Sequence, residues 1–322
     1  MPKVFVTRRI PAVGIKLLKD KGWEVEVGPE GKISEKELLE KVKGVNAILS
    51  VLTETIDGKA MGAAGKQLKI IANYAVGYNN IDVKAAKEKN ILVTNTPDVL
   101  TDAVADHTVG LLFAAAQKIV AADQYTRAGK YEAWGPELFL GGDIFGKTLG
   151  IIGFGRIGSS VAERMHRGFR MKILYFDINR NPEIEEKIKA EYREIDDLLK
   201  EADFISLHTA LTDATKHLIN AERLTLLKPT AYLINTSRGP VIDEQALVEA
   251  LKGKTIAGAA LDVYENEPAM APGLTKLDNV VLTPHIASAT KETRDKMAMM
   301  AAQNIITALE GQTPPNLVEE LK

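Results

Sequence analysis

Cysteine is absent from the 322 residues. Disulfides, thiolate metal centres and a cysteine nucleophile are thereby excluded. Histidine is scarce, five in all. No two histidines stand at the helical spacing that would hold zinc, so no metal site is expected. A marked excess of either charge is also missing, since 41 Lys and Arg face 43 Asp and Glu. That near balance leaves no electrostatic footprint for nucleic acid or an anionic membrane. Long apolar runs are lacking too: stretches such as Val109–Ala116 fall well short of the roughly 20 residues a membrane span requires. The opening Met-Pro-Lys-Val-Phe-Val-Thr shows no basic segment followed by a long apolar one. It reads as a first strand, and a cytoplasmic setting is the expectation.

What is present is the ordinary mix of a soluble enzyme, 45% hydrophobic and 26% charged, in a chain long enough for two domains. Short apolar runs alternate with amphipathic segments. Lys3–Thr7, Glu24–Val27, Ala47–Val51 and Leu68–Ala72 read as strands. Val13–Lys21 reads as a helix stopped at Gly22, and Ser34–Lys43 opens with the capping-box pair Ser34 and Glu37. A second set of apolar runs follows at Thr148–Ile152, Lys172–Phe176, Phe204–Leu207, Ala231–Ile234, Ala257–Leu261 and Val280–Leu282. Six strands separated by helical segments match one doubly wound sheet of the dinucleotide-binding type. Two such sets imply two α/β domains with parallel sheets. Between them lie a long helical pattern, Thr101–Arg127, and a glycine-broken arm through Gly129, Gly135, Pro136, Gly141 and Gly142. A last helix is expected over Lys291–Glu310.

The run Leu149-Gly150-Ile151-Ile152 leads into Gly153-Phe154-Gly155-Arg156-Ile157-Gly158. A lone G-x-G-x-x-G is weak, but this one leaves a strand and opens a helix. Gly153 permits the tight turn, Gly155 lets a pyrophosphate approach the backbone, and Gly158 lets helix pack on strand. Helix-start amides and the helix dipole then face the anion. The next strand ends in Asp177, where an acidic residue would hydrogen-bond the adenosine ribose and repel an extra phosphate. NAD(H) is therefore the preferred cofactor, with NADP(H) admitted by Arg180 nearby, since an arginine can accommodate that phosphate.

Three later strands end in polar residues: Asn235-Thr236-Ser237-Arg238-Gly239-Pro240, Asp262-Val263-Tyr264-Glu265-Asn266-Glu267-Pro268 and Thr283-Pro284-His285. Ligands bind at the carboxyl edge of doubly wound sheets, so an arginine, a glutamate and a histidine are placed to meet there. Singly, each residue type is ordinarily a solvated loop residue. Their joint position at strand ends of one sheet is what singles them out.

These motifs, with Asn73-Tyr74-Ala75-Val76-Gly77-Tyr78 and Asn95-Thr96-Pro97, resemble the D-2-hydroxyacid dehydrogenase family over nearly the whole chain. The nearest resemblance is to its glyoxylate/hydroxypyruvate reductase branch. The resemblance implies a Rossmann cofactor domain, residues 99–287, inserted in a flavodoxin-like substrate domain, residues 1–98 plus 288–322. It implies an oxidoreductase that reduces a small 2-oxo acid, with Arg238, Glu267 and His285 as catalytic residues. Glu267 is chosen over Glu265 because the family's glutamate directly precedes the proline, here Pro268. An arginine fork suits a substrate carboxylate, the imidazole suits proton donation, and the glutamate orients the imidazole. By the same resemblance Thr236, Ser237, Asp262 and Ala287 join the glycine loop and Asp177 in holding the cofactor, with Asp262 at the nicotinamide carboxamide. Leu52, Val76, Gly77 and Trp134 join Arg238 and His285 around the substrate, the tryptophan either reaching a partner's site or serving as an interface or core anchor. Thr101–Arg127 falls in the interface of a homodimer. The family also contains enzymes for D-lactate and phosphoglycerate and non-enzymatic NADH-sensing corepressors. The chain lacks an arginine at Asn73 to meet a phosphate and a lysine at Val76 of the kind phosphite enzymes carry.

Overall fold

The run Ala47–Ser50 is buried at all four positions, and so is Ile70–Asn73. Runs without polar alternation need cover on both faces, which a parallel sheet between helices supplies. In the computed structural model, which describes residues 1–322, these runs are the middle of the first of two units, residues 1–100 with 289–322. In chain order its elements are β1 (Lys3–Val6), α1 (Ala12–Asp20), β2 (Glu24–Val27), α2 (Glu35–Lys41), β3 (Ala47–Ser50), α3 (Gly58–Ala64), β4 (Ile70–Asn73), α4 (Val83–Glu88) and β5 (Leu92–Thr94). The long final helix, Lys291–Leu309, completes it. All strand pairs are parallel, in the order β2-β1-β3-β4-β5, the flavodoxin-like winding. Ser34 caps α2 by accepting from the Glu37 amide at 3.2 Å. Asp57, Asp82 and Thr290 cap α3, α4 and the final helix in the same way.

The second unit, residues 101–288, opens with two helices. These are α5 (Thr101–Ala116) and α6 (Ile119–Arg127). Then follow β6 (Thr148–Ile152), α7 (Arg156–Phe169), β7 (Lys172–Phe176), α8 (Pro182–Ile188), β8 (Glu191–Tyr192), α9 (Ile195–Glu201) and β9 (Phe204–Leu207). The unit ends with α10 (Ala221–Leu224), β10 (Tyr232–Asn235), α11 (Glu244–Lys252), β11 (Gly258–Leu261) and β12 (Val280–Leu282). Its seven strands run parallel in the order β12-β11-β10-β9-β6-β7-β8. The winding reverses between β6 and β9, the switch point at which such sheets bind ligands. No helix of either unit is long and apolar enough to cross a membrane.

The structure departs from the sequence expectations where elements are short or where a neighbour intervenes. The edge strands β5 and β8 have three and two residues, too few for an apolar pattern to register. The single helix expected over Thr101–Arg127 is broken at Lys118, whose φ is +52°. The cause lies in the arm: the Gly142 amide takes the Ala116 carbonyl at 2.9 Å, and the Gln117 side chain donates to Gly142 O at 2.9 Å. Past the break the arm leaves Tyr131, Trp134, Leu140 and Phe145 more than half exposed.

Close packing ties the final helix to the start of the chain. A Cβ placed on Gly14 of α1 would lie 2.5 Å from the Ala298 carbonyl oxygen, so only glycine admits this approach. Gly14→Ala should therefore cost about 1–3 kcal/mol through overpacking. Gly62, on α3 with nothing within 4 Å of its Cβ position, is the contrasting case: Gly62→Ala should stabilise by up to about 1 kcal/mol through helix propensity. Urea denaturation of both variants measures the difference, and equal effects would refute the packing argument.

Candidate active site

Strand register brings the polar strand ends level. Asn235 pairs with Leu261, and Leu261 with Leu282, so the segments beginning at Thr236, Asp262 and Thr283 leave one edge of the sheet side by side. The first turn is shaped by Asn235, fully buried. Its Oδ1 accepts from the Ser237 amide at 3.0 Å and the Ser237 hydroxyl at 2.8 Å, and its Nδ2 donates to Arg238 O at 3.0 Å. Thr236 shares a 2.8 Å hydrogen bond with Thr108 of α5. Arg238 is half-buried, and its Nη1 donates to Ser237 O at 2.6 Å. Burial draws its pKa down from the usual guanidinium range and the Glu267 charge pushes it back. The group remains a cation under physiological conditions. Directly after it, a Cβ on Gly239 would fall 1.8 Å from the Tyr264 carbonyl oxygen. The arginine turn and the glutamate segment therefore touch backbone to backbone.

The second segment holds Glu267 at both oxygens. Oε1 accepts from the Tyr264 amide at 3.0 Å, and Oε2 lies 2.9 Å from His285 Nδ1. Burial would raise the pKa of this carboxyl, but the hydrogen bond and charge of His285, the Tyr264 amide and the Arg238 charge together bring it below the ordinary glutamate value. Glu265, the other candidate, faces elsewhere: its Oε1 is 2.6 Å from His217 Nε2. His285 itself has φ +54°, a conformation costly for a non-glycine residue and held here by its surroundings. Its amide donates to Asp262 O at 2.9 Å, and Glu267 fixes the ring. With Nδ1 engaged by Glu267, Nε2 is the nitrogen left to face a substrate.

Beneath this pair sits Asp262, fully buried. Its Oδ1 accepts from the Thr283 hydroxyl at 2.6 Å and the Ile286 amide at 2.8 Å, and its Oδ2 from the Ala287 amide at 2.8 Å. His107 of α5 lies 3.6 Å from Oδ1. Burial acts to raise the pKa of Asp262, but these donors outweigh it and the net shift is downward.

The glycine loop between β6 and α7 uses its three glycines differently. Gly153 has φ +93°, and a Cβ there would meet the His208 backbone at 2.6 Å. A Cβ on Gly158 would lie 2.1 Å from Gly153 O, whereas Gly155 has nothing within 4 Å. Gly155 caps α7 without any side-chain hydrogen bond, and both Gly155 and Arg156 are exposed. An open, uncapped helix start fits a pyrophosphate, so the residues present suit a nicotinamide dinucleotide. The side chain of Phe154 does not belong to that surface. Its ring is buried against Tyr175 with centroids 4.0 Å apart, and its amide donates to Asp177 Oδ2 at 2.6 Å. The side chain of Phe154 thus faces the core, while its amide stays at the glycine loop, engaged by Asp177. Asp177 thereby links the tip of β7 to the glycine loop.

Leu52, Val76 and Gly77 lie in the first unit, just past β3 and β4, and are partly exposed. The Val76 and Gly77 carbonyls accept from Asn95 and Asn73 side chains, each at 2.8 Å. Trp134 stands 79% exposed on the arm of the second unit.

Residues 109–287 match the family described as D-isomer specific 2-hydroxyacid dehydrogenase, NAD binding domain. The chain is 52% identical to a glyoxylate reductase of Pyrococcus horikoshii over 98% of this chain and 96% of that one.

The chain belongs to the D-isomer specific 2-hydroxyacid dehydrogenase family.

Among solved structures, the glyoxylate reductase from Paecilomyes thermophila superposes with a TM-score of 0.89 at 35% identity, covering 100% of this chain and 99% of that one. The NADPH-dependent glyoxylate/hydroxypyruvate reductase of Sinorhizobium meliloti, in complex with NADP and malonate, gives a TM-score of 0.88 at 32% identity, covering 99% and 97%. Supporting residues of this family member escaped the sequence reading. Buried Glu244 accepts from the Glu265 and Ala271 amides, each at 2.6 Å, and so braces the segment that carries Glu267. Nothing in one sequence distinguishes such a glutamate from a helix-start residue. Asn235, by contrast, stood inside the motif and was passed over in favour of its arginine.

An Asp262→Asn change leaves one loop amide or hydroxyl without an acceptor and should cost about 1.5–3 kcal/mol. Because the folded pKa of Asp262 is lowered, its stabilisation is complete above the unfolded value, about 3.9. It fades only as pH falls from there through the lower folded value. Denaturation of both proteins from neutral pH downward should show a constant gap that closes only below about pH 4; a gap that widened on acidification would contradict this.

Proposed function

We propose that the chain reduces small 2-oxo acids, glyoxylate and hydroxypyruvate first among them, to the 2-hydroxy acids, with NADH preferred over NADPH. The observation that carries this reading is the Glu267–His285 contact of 2.9 Å at Nδ1. It leaves Nε2 as the ring nitrogen available for proton exchange beside the Arg238 turn. A bound nicotinamide dinucleotide supplies hydride to C2 of the acid. Arg238 holds the carboxylate and the carbonyl oxygen through its fork of donors. His285 delivers a proton from Nε2 to that oxygen and takes it back in the oxidative direction. Glu267 keeps the ring in register and balances the imidazolium charge. The Val76 and Gly77 amides bind the carboxylate, with Leu52 and Trp134 limiting the size of the acid. Thr236, Ser237, Asp262 and Ala287 line the nicotinamide end, and Asp177 binds the adenosine ribose.

A small acid is favoured over a phosphorylated one because Asn73 is fully buried and occupied. It bonds Ser50 at 3.0 Å and Gly77 O at 2.8 Å, shaping the loop where a phosphate-binding arginine would stand. His285→Ala should lower kcat with glyoxylate about 10²–10⁴-fold, while the Kd for NADH, read by fluorescence, stays within twofold or so. Turnover within tenfold of the native rate would remove His285 from the reaction.

The apolar arm supports a homodimer. Ile119, Val120, Trp134, Leu140 and Phe145 are all at least 40% exposed, and apolar groups gathered along one segment call for a covering surface. A second copy of the chain closes such a patch by two-fold symmetry. Sedimentation equilibrium should give twice the chain mass, and Leu140→Glu with Phe145→Glu should give the monomer; a monomeric native protein would end this assignment.

A further inference from the structure

We propose that Glu185 sets cofactor choice by locking Arg180 away from the ribose end of the dinucleotide site, so that a 2′-phosphate finds no cation there. The proposal rests on the reading of Asp177 as the ribose partner.

Arg180 lies three residues beyond Asp177, in the turn between β7 and α8. An arginine in this place is what a 2′-phosphorylated cofactor requires, and in the sequence it argued for NADP(H). The structure shows it already engaged. Its Nε donates to Glu185 Oε1 at 3.0 Å and its Nη2 to Oε2 at 2.7 Å, a bidentate fork. The guanidinium also lies over the Tyr192 ring, 5.5 Å from its centroid. Glu185 is itself anchored, because Oε1 accepts from the hydroxyl of Tyr175, a residue fully buried in the core. The Asn181 amide donates to the same hydroxyl at 3.2 Å. Four groups thus hold the arginine on the α8 side of the turn.

The charges add to the geometry. Asp177 and Glu185 carry two negative charges against one on Arg180, so these three side chains together oppose an incoming dianion. The Nε–Nη2 edge of the guanidinium is the one given to Glu185. Releasing the fork removes a repulsive charge and frees an attractive one in a single step.

Isothermal titration of the full chain with adenosine 5′-monophosphate and adenosine 2′,5′-bisphosphate isolates the 2′-phosphate from catalysis. The native protein should prefer the monophosphate, and Arg180→Ala should leave the ratio of the two affinities unchanged, because the arginine is not available. Glu185→Gln should shift the ratio toward the bisphosphate by about tenfold, and the gain should vanish in the Arg180→Ala, Glu185→Gln double variant. Weaker bisphosphate binding by Arg180→Ala alone would show the arginine free and overturn the lock. An unchanged ratio in Glu185→Gln, with the native preference intact, would overturn it while sparing the reading of Asp177. A native preference for the bisphosphate would overturn both.

Discussion

A single buried carboxylate organises the polar end of the second sheet. Asp262 stands where β11 ends, and its two oxygens gather the Thr283 hydroxyl and the amides of Ile286 and Ala287 from the segment after β12. Its own carbonyl receives the His285 amide. Together these bonds hold His285 in a backbone conformation that a free loop would abandon. The imidazole is aimed by the chain that carries it before Glu267 touches the ring.

The residues around it obey one rule: each buried polar group is partnered by a group whose position the fold has already fixed. Glu267 meets a backbone amide on one oxygen and the imidazole on the other. Glu244 spends both oxygens on the segment leading to Glu267. Asn235 shapes the arginine turn from below. An unpartnered buried polar group costs about 1–3 kcal/mol, so loosening any of these contacts strains its neighbours. The arrangement of Arg238, Glu267 and His285 here is a by-product of satisfying backbone donors and acceptors.

Much of this was legible in the residues themselves. Gly153 and Gly158 each answer a separate steric demand, while Gly155 leaves the start of α7 open, which is the pattern the motif led one to expect. The apolar runs before Asn235, Asp262 and Thr283 located a common edge, because parallel strands finish together. What stayed hidden depends on contacts between distant segments. The break at Lys118 needs the arm to return to Ala116. The pairing of Arg180 with Glu185 needs a turn whose direction no periodicity encodes. Glu265 and Glu267 were separable by resemblance alone, and geometry separates them by giving one to His217 and the other to His285. The inward turn of the Phe154 ring was not legible, because a motif specifies its glycines and leaves the intervening side chains to the core.

The close approach of Gly14 to Ala298 bears on how the chain is made. Residues 289–322 belong with residues 1–100, yet they are translated after residues 101–288. While the intervening segment emerges, the first sheet waits with the face destined for the final helix still bare to solvent. The second unit, contiguous in the polypeptide, has all its strands in hand before that helix is translated. Cover for that face of the first sheet therefore comes from a segment translated after the whole of the second unit.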